Sequence, residues 1–214
     1  MLNFNYAAGA FVFLKKLIKY ILSFLFQVNK IIIFEIDLTK QVEITGREGV
    51  VSFKLATRND ILSMNKKNYN YDEKGKRYSM ERMSKGDRCV LAVIDNQIIG
   101  YVWIMKGKME KTQYKHMPIS QDRCYIYKGF VRTEYRGRRV LNGIDQFIFS
   151  LLRKENCLAV ITTVSKNNTS SVKARDRIGF ERIGFYYHIV LLGRVFAYLP
   201  HEYKSYLQQK IWKK

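Results

Sequence analysis

Two runs in the second half of the chain carry residue types and spacings that suit chemistry. The first is GFVRTEYRGRRVLNGIDQFIFSLL, residues 129–152. An apolar stretch ends at Phe130-Val131, and Arg136-Gly137-Arg138-Arg139 leads into apolar residues at Val140, Leu141, Ile144, Phe147, Ile148, Leu151 and Leu152. That spacing predicts an amphipathic helix over 138–155. A strand-to-helix turn presents free backbone N–H groups together with the positive end of the helix dipole. Such a turn suits an anion, and three arginines reinforce it, so a pyrophosphate is the natural occupant. A basic helix start with no ligand uses the same residues, and on this run alone both readings stand. The second run is Asn168, Ser171, Arg175, Gly179 and Phe180, spaced N-x-x-S-x-x-x-R-x-x-x-G-F. Asn168 is suited to cap a helix over 168–178, and Gly179 to end it.

The elements that must position these runs follow from the apolar pattern. Residues 31–38 (IIIFEIDL) and 50–57 (VVSFKLAT) are rich in β-branched and apolar types and read as strands. Thr57, followed three residues later by Asp60, reads as a helix cap. Residues 66–87 read as a loop and a short helix around Tyr78–Lys85. Residues 89–95 and 97–105 form a hairpin about Asp95-Asn96. Residues 106–121 are polar and read as a loop. Strands follow at 124–131 and 157–164, and a final strand pair at 180–192 and 194–199. A C-terminal helix over 201–212 completes the order. The fold class is α/β, of the mixed α+β kind: one mixed sheet with helices on both faces, its parallel crossover unit confined to the second half.

Together, in this order and at this spacing, the two runs resemble the GNAT N-acetyltransferase family over roughly residues 50–199. The first run resembles the family's coenzyme A pyrophosphate loop, Q/R-x-x-G-x-G/A. The second resembles the helix and strand that close the cofactor site, and LAVIDNQIIGYVWI (91–104) resembles the central antiparallel pair. The resemblance implies acetyl-CoA as co-substrate, with no metal, in a gap where the strand ending at Val131 splays from the strand at 157–164. It places Phe130, Val131, Arg136, Gly137, Arg138, Arg139, Val140, Leu141, Asn168, Ser171 and Arg175 at the cofactor. The Val131 N–H would polarise the thioester carbonyl, and the N–H groups of 137–141 would hold the pyrophosphate. The chain departs from the pattern in two places. Arg139 and Leu141 occupy the small positions of the loop, where glycine would let the backbone approach phosphate closely. Arg175 stands where many relatives carry a tyrosine that protonates the leaving thiolate, and an arginine there would contact a phosphate or stabilise the thiolate electrostatically.

Tyr125 and Tyr127 share one face of their strand and are the catalytic candidates, as cleft-lining or proton-relaying groups; core tyrosines read the same way. Asp122 and Glu134 are nearby carboxylates of the kind that loops leave solvated. The resemblance implies an amine acceptor and does not choose which; the amphipathic pattern of residues 8–26 alone prompts the expectation of a sugar or lipid-linked cell-surface precursor.

Length and composition bound the rest. The chain has 214 residues, 47% hydrophobic, with a net charge of +20. That suffices for one domain, expected over 31–214, with an appendage over 1–30. The charge is diffuse and attracts anions generally, so it does not choose between cofactor, lipid headgroup and nucleic acid. A non-catalytic module holding anionic membrane or nucleic acid is the competing class, and the ordered motif pair favours the enzyme and sets nucleic acid aside. Cys89, Cys124 and Cys157 form no metal or disulfide pattern, which fits a reduced, cytoplasmic setting. Residues 8–26 have an apolar stripe at Phe11, Leu14, Ile18, Ile21, Leu22 and Leu25, with Lys15, Lys16 and Lys19 beside it. The uncharged stretch is shorter than the ~20 residues that span a bilayer. The segment reads as a helix on a membrane surface or on a protein surface.

Overall fold

The computed structural model describes residues 26–40, 51–69, 71–112 and 115–200. The helices expected over 8–26 and 201–212 lie outside the described residues, except Phe26, which belongs to β1. Within them the chain runs β1 (Phe26–Asp37), β2 (Ser52–Leu55), α1 (Arg58–Ser63), α2 (Lys66–Tyr69), α3 (Glu73–Ser84), β3 (Arg88–Ile94), β4 (Gln97–Lys106), β5 (Lys108–Thr112), β6 (Lys115–Pro118) and β7 (Arg123–Val131). A short 3-10 turn (Thr133–Tyr135), α4 (Val140–Lys154), β8 (Ala159–Ser165), α5 (Thr169–Ile178), β9 (Glu181–Leu191) and β10 (Arg194–Tyr198) complete it.

Eight strands make one sheet in the order β10-β9-β1-β8-β7-β4-β3-β2. The pairs are antiparallel except β7 with β8, as the crossover through α4 requires. The slot between β8 and β9 is filled by β1, the first described strand. Its apolar run explains the position: Ile32, Ile33, Phe34 and Ile36 are buried, so both faces of the strand are covered. One core lies under α4 and α5 and gathers Phe34, Ile126, Ile144, Ile148, Phe149, Leu152 and Val160. The other lies under α1 to α3 and gathers Ile61, Met64, Leu91, Trp103, Tyr125 and Tyr127.

Local signals account for the elements. Thr57 and Asp60 form the reciprocal cap of α1, each side chain taking the other's backbone N–H. Asp95 and Asn96 both adopt positive φ, 47° and 61°, as a tight two-residue hairpin turn requires. Three expectations change. β1 begins at Phe26, so residues 26–30 belong to the sheet: in FQVNK the alternation of period two continues into IIIFEI. α3 begins at Glu73, because the Asp72 carboxylate accepts from the Gly75 N–H at 2.7 Å and caps it. Residues 108–112 and 115–118, expected within a loop, form the small antiparallel pair β5–β6, anchored by buried Met109 and otherwise too polar to announce itself.

Candidate active site

The seam between β7 and β8 is paired at one end only. Arg123 to Ile126 pair with Ala159 to Thr162, and there the ladder stops, though β7 runs on to Val131 and β8 to Ser165. The cause sits on β7's other edge. Tyr127 faces Trp103 and Phe130 faces Tyr101, so Lys128 and Gly129 together oppose Val102. This is a bulge, and Lys128 takes φ 50° to make it. A bulge bends its strand and adds twist, which carries the end of β7 away from β8. The Thr162 hydroxyl closes the last rung by donating to the Ile126 carbonyl at 3.0 Å.

Beyond that rung lies a cavity of about 240 Å³ lined by Tyr127, Lys128, Gly129, Leu141, Thr163, Asn168, Ser171 and Arg175, among others. Backbone groups face it. The Arg132 N–H bonds the Ile99 carbonyl at 2.9 Å, so residue 132 is a hydrogen-bonded partner of β4. Such pairs alternate along an antiparallel ladder, so Phe130 also turns its backbone to β4 while Val131 turns its own toward the gap. The Val131 carbonyl accepts from Arg136 Nε at 3.1 Å, which leaves the neighbouring N–H directed at the gap.

The turn into α4 supplies more donors. Arg139 is the N-cap residue and contributes no side-chain cap, and the Gly143 N–H reaches back to its carbonyl at 3.2 Å. The N–H groups of Val140, Leu141 and Asn142 therefore lack partners within the helix, and Leu141 lies on the cavity wall. Gly137 has φ 74° and Arg139 φ 58°, both left-handed. Glycine accepts that geometry freely, whereas arginine holds it at a cost of about 1–2 kcal/mol. Arg136, Arg138 and Arg139 are exposed on this turn, and the Arg138 guanidinium lies 5.7 Å from the Tyr135 ring.

α5 forms the opposite wall. Asn168 caps it, its carbonyl oxygen accepting from the Ser171 N–H at 3.2 Å, and Gly179 ends it at φ 93°. Arg175 lines the gap while nearly buried, and its Nη1 donates to Asp145 Oδ2 at 2.5 Å. Asp145 is fully buried in α4. Burial pushes its carboxyl above the ordinary carboxylate range, against the opposing pull of Arg175.

The sequence-predicted residues thus divide. Tyr127, Leu141, Asn168, Ser171 and Arg175 line the gap, and ladder alternation turns the Val131 backbone to that edge of β7. The Phe130 ring stacks on Tyr101 at 5.3 Å, away from it. Tyr125 and Tyr127 are buried and stacked on each other at 5.6 Å. The Tyr125 hydroxyl shares a hydrogen bond with Thr163 Oγ1 at 2.6 Å, and Tyr127 donates to Asp87 Oδ2 at 2.8 Å. Burial pushes the Tyr127 phenol above its ordinary value. Lys128, Gly129 and Asp145 are not among the site residues that the sequence pattern points to. A glycine inside a strand is a bulge signal, and an aspartate on the stripe of Leu141, Ile148 and Leu152 is an anomaly of pattern.

A sequence model described as the Acetyltransferase (GNAT) family matches residues 58–180, more than half of the chain. The chain belongs to the GNAT acetyltransferase family. Solved GNAT structures share its fold. One is the GCN5-related N-acetyltransferase of Sphaerobacter thermophilus, with TM-score 0.54 and 14% identity over 82% of this chain and 55% of that one. Another is AAC(6')-Iy in complex with the bisubstrate analog CoA-S-monomethyl-acetylneamine, with TM-score 0.51 and 15% identity over 63% of this chain and 92% of that one. A functionally unknown conserved protein from Staphylococcus epidermidis ATCC 12228 aligns with TM-score 0.54 and 17% identity over 82% of this chain and 66% of that one. This chain therefore spans about half to two thirds of the length of several of its structural neighbours. At these identities the likeness is one of fold. No curated protein matches the chain. The strand β1 lies outside the family-matched residues yet is an interior strand of the sheet, between β8 and β9. Among the described residues no helix is long and apolar enough to cross a membrane, which says nothing of β-barrels.

Proposed function

We propose that the chain transfers an acetyl group from acetyl-CoA to an amine acceptor. Family membership supports acyl transfer in general, and one observation supports a site for the donor: the unpaired edge of β7 lies beside the uncapped N-terminus of α4. A thioester in the gap would meet the Val131 N–H at its carbonyl oxygen, where charge develops as the amine attacks. The pyrophosphate would meet the amides of 137–141, with Arg136, Arg138 and Arg139 adding positive charge. Arg175 would face the leaving sulfur. The acceptor amine, losing its proton to water, attacks the carbonyl carbon; the C–S bond breaks and the electron pair leaves on sulfur.

For the acceptor we retain a sugar or lipid-linked precursor, prompted by the amphipathic pattern of residues 8–26; co-sedimentation of the full chain with anionic vesicles checks that part. Calorimetry with acetyl-CoA tests the donor. Binding in the micromolar range, weakened in Arg136→Ala, is expected. Absence of binding in the unsubstituted chain would refute the reading. Thiol release with a panel of amines, amino sugars included, then identifies the acceptor.

A further inference from the structure

Arg175 and Asp145 form an ion pair between the two helices that flank the gap. Asp145 is 0% exposed and Arg175 is 7% exposed. Asp145 sits among the core-facing residues of α4, beside Ile144 and Ile148, where an apolar side chain would pack without loss of hydration. Its second oxygen, Oδ1, is buried and has no hydrogen-bond partner among the described residues. Burial of a half-satisfied carboxylate is unfavourable, so packing alone does not account for it. The pair's other end does: Arg175 is a lining residue of the gap, with its guanidinium 5.1 Å from the Phe180 ring. Asp145 engages one of its nitrogens, and a guanidinium has five N–H donors in a fixed fork.

We propose that Asp145 is a positioning residue, holding the Arg175 guanidinium at the gap so that a fixed cation meets the charge of the departing thiolate. The inference rests on the acetyl-transfer reading. Arginine stays protonated, so it gives no proton in this role. The amine nitrogen bonds to the carbonyl carbon, the C–S bond breaks, and both electrons remain on sulfur as a thiolate beside Arg175. The amine proton passes to solvent, and the thiolate takes a proton from solvent after release. Without Asp145 the guanidinium loses its anchor on α4 and the cation is no longer fixed.

The test uses the full chain with Asp145→Asn, which keeps the size of the side chain. Acetyl-CoA affinity is expected to stay within about twofold, while kcat falls by roughly tenfold or more. Arg175→Met is expected to lower kcat by about a hundredfold, and the double variant no further, since the two act as one unit. Thiolate absorbance of bound coenzyme A against pH supplies a readout that a packing role does not move. The thiol is expected to ionise at lower pH on the unsubstituted chain than on Asp145→Asn. If Asp145→Asn does not fold, Arg175→Lys, which keeps the charge and loses the fork, takes the same two readouts. Unchanged kcat and thiol acidity in the folded variant, with the unsubstituted chain active, would overturn the proposal alone. An unsubstituted chain that neither binds nor turns over acetyl-CoA would overturn the acetyl-transfer reading and this one with it.

Discussion

The two ends of the β7–β8 seam both open onto cavities, and the larger one is at the wrong end for anion chemistry. At the paired end a space of about 350 Å³ is lined by Glu35, Asp37, Arg123 and Glu181. There the charges already answer each other, Arg123 reaching Glu35 at 3.2 Å and Asp122 at 3.1 Å. The backbone is engaged as well, with the Leu158 N–H on the Asp122 carbonyl at 2.7 Å. At the open end the space is smaller, about 240 Å³, but a strand edge and a helix N-terminus present backbone donors that have no ladder or intrahelical partner among the described residues. Unused hydrogen-bonding capacity and uncompensated positive charge mark a binding site better than volume does.

Substitutions should separate the ends. Ile126→Ala, in the fully buried last paired rung, is expected to cost about 2–5 kcal/mol of stability in urea unfolding. Gly129→Leu projects into the open end, where a side chain would first meet Leu141 and Val102 at 3.5 Å. It is expected to weaken acetyl-CoA binding at least about tenfold, or ~1.4 kcal/mol, with the thermal midpoint nearly kept. A large loss of stability with unchanged binding would erase the distinction between the ends.

How much of this was legible in the sequence depended on the kind of signal. The strands of the main sheet, the two capped helices around Thr57 and Asn168, and the strand-to-helix turn into α4 were legible because each has a local cause within a few residues. The splay was not, because it arises from register: only the pairing of Val102 with two residues shows that Lys128 is the extra one. The partnership of Asp145 with Arg175 joins residues thirty positions apart, which no local pattern reveals. The place of β1 between β8 and β9 is likewise a fact of topology. The departures at Arg139 and Arg175 were legible as departures, and the structure gives each a physical content: a left-handed arginine and a buried ion pair.

Smaller effects sharpen the contrast. Arg88 donates two hydrogen bonds to Glu155, at 2.5 and 2.8 Å, and this holds the Glu155 carboxyl below its ordinary value. Such a carboxylate stabilises the fold above its unfolded pKa, and the contribution is lost as pH falls through the lowered folded value. Arg88→Met is expected to lower stability at neutral pH by about 0.2–1 kcal/mol, the pair being partly exposed, and to flatten the acid side of the stability profile without altering acetyl-CoA binding. Arg139→Gly relieves the left-handed strain but gains chain entropy in the unfolded state, so its stability is expected to shift by less than about 1 kcal/mol. Retained or tighter acetyl-CoA binding in that variant would fit amides, not the arginine side chain, as the phosphate ligands.

The most direct measurement is backbone amide hydrogen exchange with and without acetyl-CoA. New protection is expected at Val131 and across residues 137–142, with little change at 123–126, where the ladder already protects the amides. Protection confined to the paired end, or none anywhere on saturation with acetyl-CoA, would contradict a donor site at the open end.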